Sequence, residues 1–307
     1  MTRNITLDFF KLFLSFCVVA IHLFPLFSNN GLSSWFISNG FCRIAVPCFF
    51  FICGYFLNKK IDDVEKIKKY LIHLFSIYLV WSFIYLDFGR CFEYWGIKRT
   101  LYELFWGFYH LWYVLAMISG IIIFYFLRKY IKNINTILII GILLFFIGYI
   151  GESLSLLKNI INFRNGVFIG LPFITIGYYV KEKNIVNKIK DIHLILLIGL
   201  GFILLFADSY WAYKMYLFRD SFVALIFLCP AITIFIFKHS NSTEVDNVIL
   251  RNIGSLSAAI YFSHYYVILN MNLDYEYTYL KIPVLLLIAL WTSIIIVFIN
   301  NRLKIFL

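Results

Sequence analysis

The stretch LDFFKLFLSFCVVAIHLFPLF, residues 7–27, is apolar enough to cross a bilayer, yet it carries Asp8, Lys11 and His22 within it. A spanning helix needs about 20 predominantly apolar residues. A cleaved signal peptide would have an unbroken apolar core followed by a small-residue cleavage site, and this stretch has neither. It is expected to stay in the mature protein. On a helix, Lys11 and His22 lie only about 20° apart around the axis and about 16 Å apart along it. Asp8 falls one turn before Lys11 and Ser15 one turn after, so a polar stripe is expected along one face. Charges at membrane depth cost at least about 2.5–3.5 kcal/mol each and are functional candidates by default. The plainer alternative is that Lys11 snorkels to the interface while His22 is a satisfied histidine inside the bundle.

The rest of the chain agrees with a membrane setting. Of 307 residues, 62% are hydrophobic and 14% charged, and mean hydropathy is +0.86. Soluble chains carry roughly 45–50% apolar and about 25% charged residues. A soluble enzyme, a secreted domain and a disordered tail are excluded. Further apolar stretches fall near 41–57, 70–88, 109–127, 134–150, 165–180, 192–208, 215–237, 254–271 and 282–300. The expected fold is an all-α polytopic integral membrane protein of about ten transmembrane helices, one domain over 1–307 with no appended soluble domain. With both termini cytoplasmic, Lys and Arg in the inner loops outnumber those in the outer loops roughly two to one.

The net charge of +11 then marks inner loops held near anionic lipid; no motif calls for nucleic acid. The cysteines at 17, 42, 48, 53, 91 and 229 show no CxxC or metal-type spacing, so no metal is expected. A Cys42–Cys91 bridge on the outer face is topologically allowed. His73, His193 and His239 fall at inner helix ends and read as structural. His22, His110 and His264 fall in the outer half, with Arg43 opening the second span and Arg164 the sixth. Five ionisable groups from five spans thus share one leaflet.

Those residues carry a resemblance. Lys11 followed after ten residues by His22 is similar to the Arg/Lys-x10-His signature of the membrane-bound acyltransferase family 3, of O-acetyltransferase type. The run from Arg43 through Val46, Pro47, Phe49 and Phe50 to Gly54 and Tyr55 resembles that family's Arg-x-x-Val-Pro segment. His110-Leu111-Trp112-Tyr113, Arg164-Asn165-Gly166 and Ile260-Tyr261-Phe262-Ser263-His264 resemble three more of its motifs, in the same order. Cys53 stands where serine is commoner, and Lys11 where arginine is commoner; lysine cannot offer arginine's bidentate fork.

The resemblance implies a multi-pass protein of the bacterial cell membrane. It implies transfer of an acyl group, usually acetyl from cytoplasmic acetyl-CoA, to a hydroxyl of a cell-surface polysaccharide or its lipid-linked precursor. Acetyl-CoA would act as co-substrate, with no permanently bound cofactor. In that setting His22 is the expected general base, with Arg43 or Arg164 stabilising the oxyanion and His110 and His264 completing the catalytic set. Lys11 and Asp8 would meet the donor near the inner face. The rival reading is a transporter or flippase for a glycan or small solute, since intramembrane charges also mark transport paths. Against it, no inverted repeat is detectable.

Overall fold

The computed structural model describes residues 2–26, 31–58, 60–87, 96–154, 162–240, 242–244, 247–270, 278–303 and 306–307. Cys91 lies outside the described residues, and the Cys42–Cys91 bridge with it. The helices are α1 (Ile5–His22), α2 (Leu32–Ser38), α3 (Ala45–Leu57), α4 (Val64–Asp87), α5 (Gly96–Trp106), α6 (Trp112–Tyr130) and α7 (Ile134–Ser153). They continue as α8 (Leu171–Glu182), α9 (Ile185–Lys188), α10 (Asp191–Lys214), α11 (Leu225–Lys238), α12 (Val248–Asn270) and α13 (Thr278–Leu303). A short antiparallel ribbon joins β1 (Thr2–Asn4) to β2 (Ser242–Glu244), tying the start of the chain to the approach to α12.

Among the described residues, six helical stretches are long and apolar enough to cross a membrane: α1, Leu32–Leu57, Val64–Leu86, α6, α7 and α10. Two more apolar helices, α11 and Leu286–Arg302, are shorter. Large side chains face outward along these helices, with Phe83 68%, Ile203 67% and Trp291 66% exposed. Such exposure fits a lipid surround, because a monomer in water rarely shows broad apolar faces.

Three expected spans are interrupted or only partly regular α-helix. The second begins earlier, at Leu32, and is broken: α2 ends at Ser38, and a 3-10 turn, Phe41–Ile44, leads into α3. Pro47 has no N–H to give the Arg43 carbonyl, so regular α-helix cannot run back through this point. The span expected at 165–180 opens with a π-helical turn, Gly166–Gly170, before α8. The span expected at 215–237 is helical only from Leu225. The preceding loop carries the charged pair Arg219 and Asp220, whose side chains need partners that a lipid-facing helix would not supply.

Lipid tails are as apolar as leucine, so close backbone approach and polar contacts hold such helices together. At the crossing of α3 and α8, a Cβ on Gly54 would come within 2.0 Å of the Ile174 carbonyl oxygen, and one on Gly177 within 2.0 Å of the Phe51 carbonyl oxygen. Only glycine fits at either place. Helix α1 is capped by Asn4, whose side chain accepts from the Leu7 N–H at 3.0 Å, and Asp8 in the first turn complements the helix dipole. Pro25, three residues beyond His22, stops the helix. The Ser15 hydroxyl fastens α1 to α12, lying 2.7 Å from the Ser257 hydroxyl and 2.8 Å from its carbonyl oxygen.

Candidate active site

His22 ends α1, Arg43 lies in the turn between α2 and α3, and His110 sits in the turn just before α6. Arg164 occupies the bend before the π-turn, and Asp220 the loop before α11. These helix ends, with Asn39, Trp112 and Tyr261, surround a cavity of about 310 Å³. Four of the five expected catalytic residues line it. The fifth, His264, is fully buried on α12 behind them. Its ring centroid lies 5.3 Å from His22 and 4.6 Å from His110, and the last two are 6.3 Å apart.

The orientation of His264 is fixed. Its Nδ1 meets the Tyr261 carbonyl at 2.7 Å and the Ile260 carbonyl at 3.1 Å. A carbonyl only accepts, so Nδ1 holds the proton and Nε2 of the neutral ring is an acceptor. That Nε2, and both ring nitrogens of His110, are buried with no hydrogen-bond partner among the described residues. The turn carrying His110 is anchored by Tyr261, whose hydroxyl donates to the His110 carbonyl at 2.6 Å.

Asp220 joins the two arginines, accepting from Arg43 Nη1 on one oxygen and from Arg164 Nη1 at 3.3 Å on the other. Arg164 also lies over the Trp112 ring, 4.9 Å from its centroid. The Asp220 loop is itself held. Glu152 accepts from the backbone N–H of Asp220 at 2.8 Å and of Ser221 at 3.0 Å. Arg219 is 1% exposed, bonded to Ser153 at 2.6 Å and Asp208 at 2.5 Å. Sequence reading missed Asp220, because the span assigned to 215–237 absorbed it. The adjacent charges at 219 and 220, beside Glu152 and Asp208 in other apolar stretches, were the signal for a buried network.

Nearer the start of α1, Lys11 pairs with Asp8 at 3.1 Å, and Arg3 comes within 3.8 Å of the same carboxylate. Lys11, Ser15 and Ser257 line a second cavity of about 160 Å³, whose wall also includes Phe49, Tyr113 and Tyr261. Tyr261 also lines the histidine cavity. Phe49 and Tyr113 also line a third cavity, of about 280 Å³, with Cys53, Lys60 and Tyr70. Lys60 lies 4.1 Å from the Tyr70 ring centroid. Neighbouring cavities thus share wall residues, and the Tyr113 and Tyr261 rings among them lie 5.3 Å apart. Asp8 lies beside Lys11 but lines none of these three cavities, facing Gly254 of α12.

His73 and His193 are exposed, and His239 pairs with Asp191 at 3.2 Å, away from the cavities. Among the described residues, no group of three or more His, Cys, Asp or Glu side chains is placed to hold a metal ion.

A sequence model described as an acyltransferase domain, that of acyltransferase family 3, matches residues 4–300. The chain belongs to this family. Two curated proteins of Enterococcus faecalis, both named amino-acid racemase, are similar over part of their length. One is 36% identical over 129 residues, covering 38% of this chain and 18% of the racemase. The other is 31% identical over 163 residues, covering 50% of this chain and 23% of the racemase. The chain therefore spans less than a quarter of the curated relatives it matches. No solved structure matches it.

Proposed function

We propose that this chain is a membrane O-acyltransferase. It moves an acetyl group from acetyl-CoA to a hydroxyl of a cell-surface polysaccharide or its lipid-linked precursor. One observation carries the reading: His22 and His110 line the same cavity as Arg43 and Arg164, and Tyr261 lines both that cavity and the one lined by Lys11. The protein would sit in a bacterial cell membrane with ten spans and both termini inside. The donor would enter by the lysine-bearing cavities, Lys60 and Lys11 meeting its anionic nucleotide part, and the sugar would arrive from the opposite side.

Imidazole is suited to the proton transfer because its ordinary pKa lies near neutrality. The acceptor oxygen attacks the thioester carbonyl carbon as its proton passes to His22. The carbonyl electron pair moves onto oxygen, giving a tetrahedral oxyanion. When the C=O bond re-forms, the C–S bond breaks, and the thiolate takes the proton back from His22. Ester and thiol leave, and the imidazole is restored. His264, with Nδ1 committed to backbone carbonyls, acts behind His22 and His110 rather than on substrate.

The test is release of thiol from acetyl-CoA by the purified protein in nanodiscs with a sugar acceptor. His22→Ala is expected to lower turnover about 10²–10⁴-fold, the usual worth of a positioned general base. Solute flux into liposomes without thiol release would overturn the reading in favour of transport.

A further inference from the structure

The break between α2 and α3 holds two polar atoms that the fold leaves without partners. Asn39, 2% exposed, closes α2, its backbone N–H bonded to the Trp35 carbonyl at 2.7 Å. Its side-chain oxygen accepts from Arg43 Nη2 at 2.6 Å. A guanidinium only donates, so the amide must turn its oxygen toward Arg43 and its NH₂ group away. Asn39 Nδ2 is buried with no hydrogen-bond partner among the described residues, and so is Arg43 Nε. Both residues line the histidine cavity.

A buried donor left without a partner costs stability, and native proteins keep few of them. Two on adjacent side chains, in residues that line the same cavity as His22 and His110, form a place prepared for an oxygen atom that the protein itself does not supply. Arg164 is placed differently, with its guanidinium on Trp112 and on Asp220 and its side chain 37% exposed.

We propose that Asn39 Nδ2 and Arg43 Nε together form the oxyanion-binding pair of the acyl transfer, with Asn39 a catalytic residue. This rests on the acyltransferase reading above. The thioester carbonyl oxygen faces the α2–α3 break, and the two N–H groups hold it while the carbonyl electron pair resides there. They release it when the C=O bond re-forms and the thiolate departs. Asp220 fixes the other side of the Arg43 guanidinium, so that Nε keeps its direction.

Asn39→Asp and Asn39→Ala in nanodiscs test this, with thiol release followed at saturating acetyl-CoA. Aspartate keeps an oxygen for Arg43 and the same shape, but has no N–H to give and adds a negative charge beside the oxyanion. Loss of one such donor is worth about 10²–10³-fold in kcat, so both variants should fall by that much with the donor KM unchanged. The aspartate variant should melt no lower than the wild type, which separates chemistry from folding if the alanine variant is unstable. Wild-type kcat in Asn39→Asp, or a loss confined to KM, would overturn the assignment. A wild-type protein that releases no thiol at all would overturn the acyl-transfer reading itself, and this proposal with it.

Discussion

The two ends of α1 hold polar clusters built from the same ingredients to opposite effect. At the start of the helix, Asp8 is bracketed by Lys11 and Arg3, and Ser15 is bonded to α12. Around its other end, Asp220 is likewise bracketed by Arg43 and Arg164. There, however, Asn39 Nδ2, Arg43 Nε, His264 Nε2 and both His110 nitrogens remain unpartnered among the described residues. Satisfied polar groups in an apolar bundle hold helices together, whereas unsatisfied ones beside a cavity are free to meet a ligand's atoms. The first cluster is mainly a fastening that also borders a cavity; the second is the candidate site.

Three substitutions probe that contrast. Asp220→Ala should have the largest effect, because removing one partner of a buried pair costs about 3 kcal/mol by leaving charge uncompensated. Melting in detergent should drop markedly, and turnover should fall even where the fold survives, since Arg43 loses its anchor. Unchanged melting and turnover would mean that the arginines do not depend on this carboxylate. Lys11→Gln should do less, raising the KM for acyl-CoA through loss of a charge that meets the donor while leaving kcat intact. A fall in kcat with KM unchanged would move Lys11 from the fastening into the chemistry. Ser15→Ala should do least, lowering stability by about 1 kcal/mol, the net worth of an ordinary hydrogen bond, with kcat unaltered. A large kinetic change there would erase the distinction between the two ends.

Much of this was legible in the sequence, for identifiable reasons. Charged and imidazole side chains inside apolar stretches stand out because membrane depth penalises them. His22, Arg43, His110 and Arg164 could therefore be picked out and do meet around one cavity, with His264 packed behind. Asn39 could not be found this way. It carries no charge, and its importance comes from a hydrogen bond to Arg43 that only the folded turn creates. Asp220 was hidden differently, since hydropathy averaged over a window smooths two charges into the apolar residues that follow them. The helix breaks at 39–44 and 166–170 were similarly averaged away, although Pro47 and the Asn165 side chain, which accepts from the Val167 and Phe168 N–H groups, are local signals for them.

The glycine crossing has a consequence for the cations. Arg43 just precedes α3 and Arg164 just precedes the π-turn that runs into α8, so the two helices resemble the arms of a calliper with a guanidinium at each tip. The pivot is the contact of Gly54 with Ile174 and of Gly177 with Phe51, about 16 Å down the arm from Arg43. Asp220 bridges the tips, while the crossing needs two positions with no side chain, so a methyl group added there is expected to be felt at the jaw as a misfit.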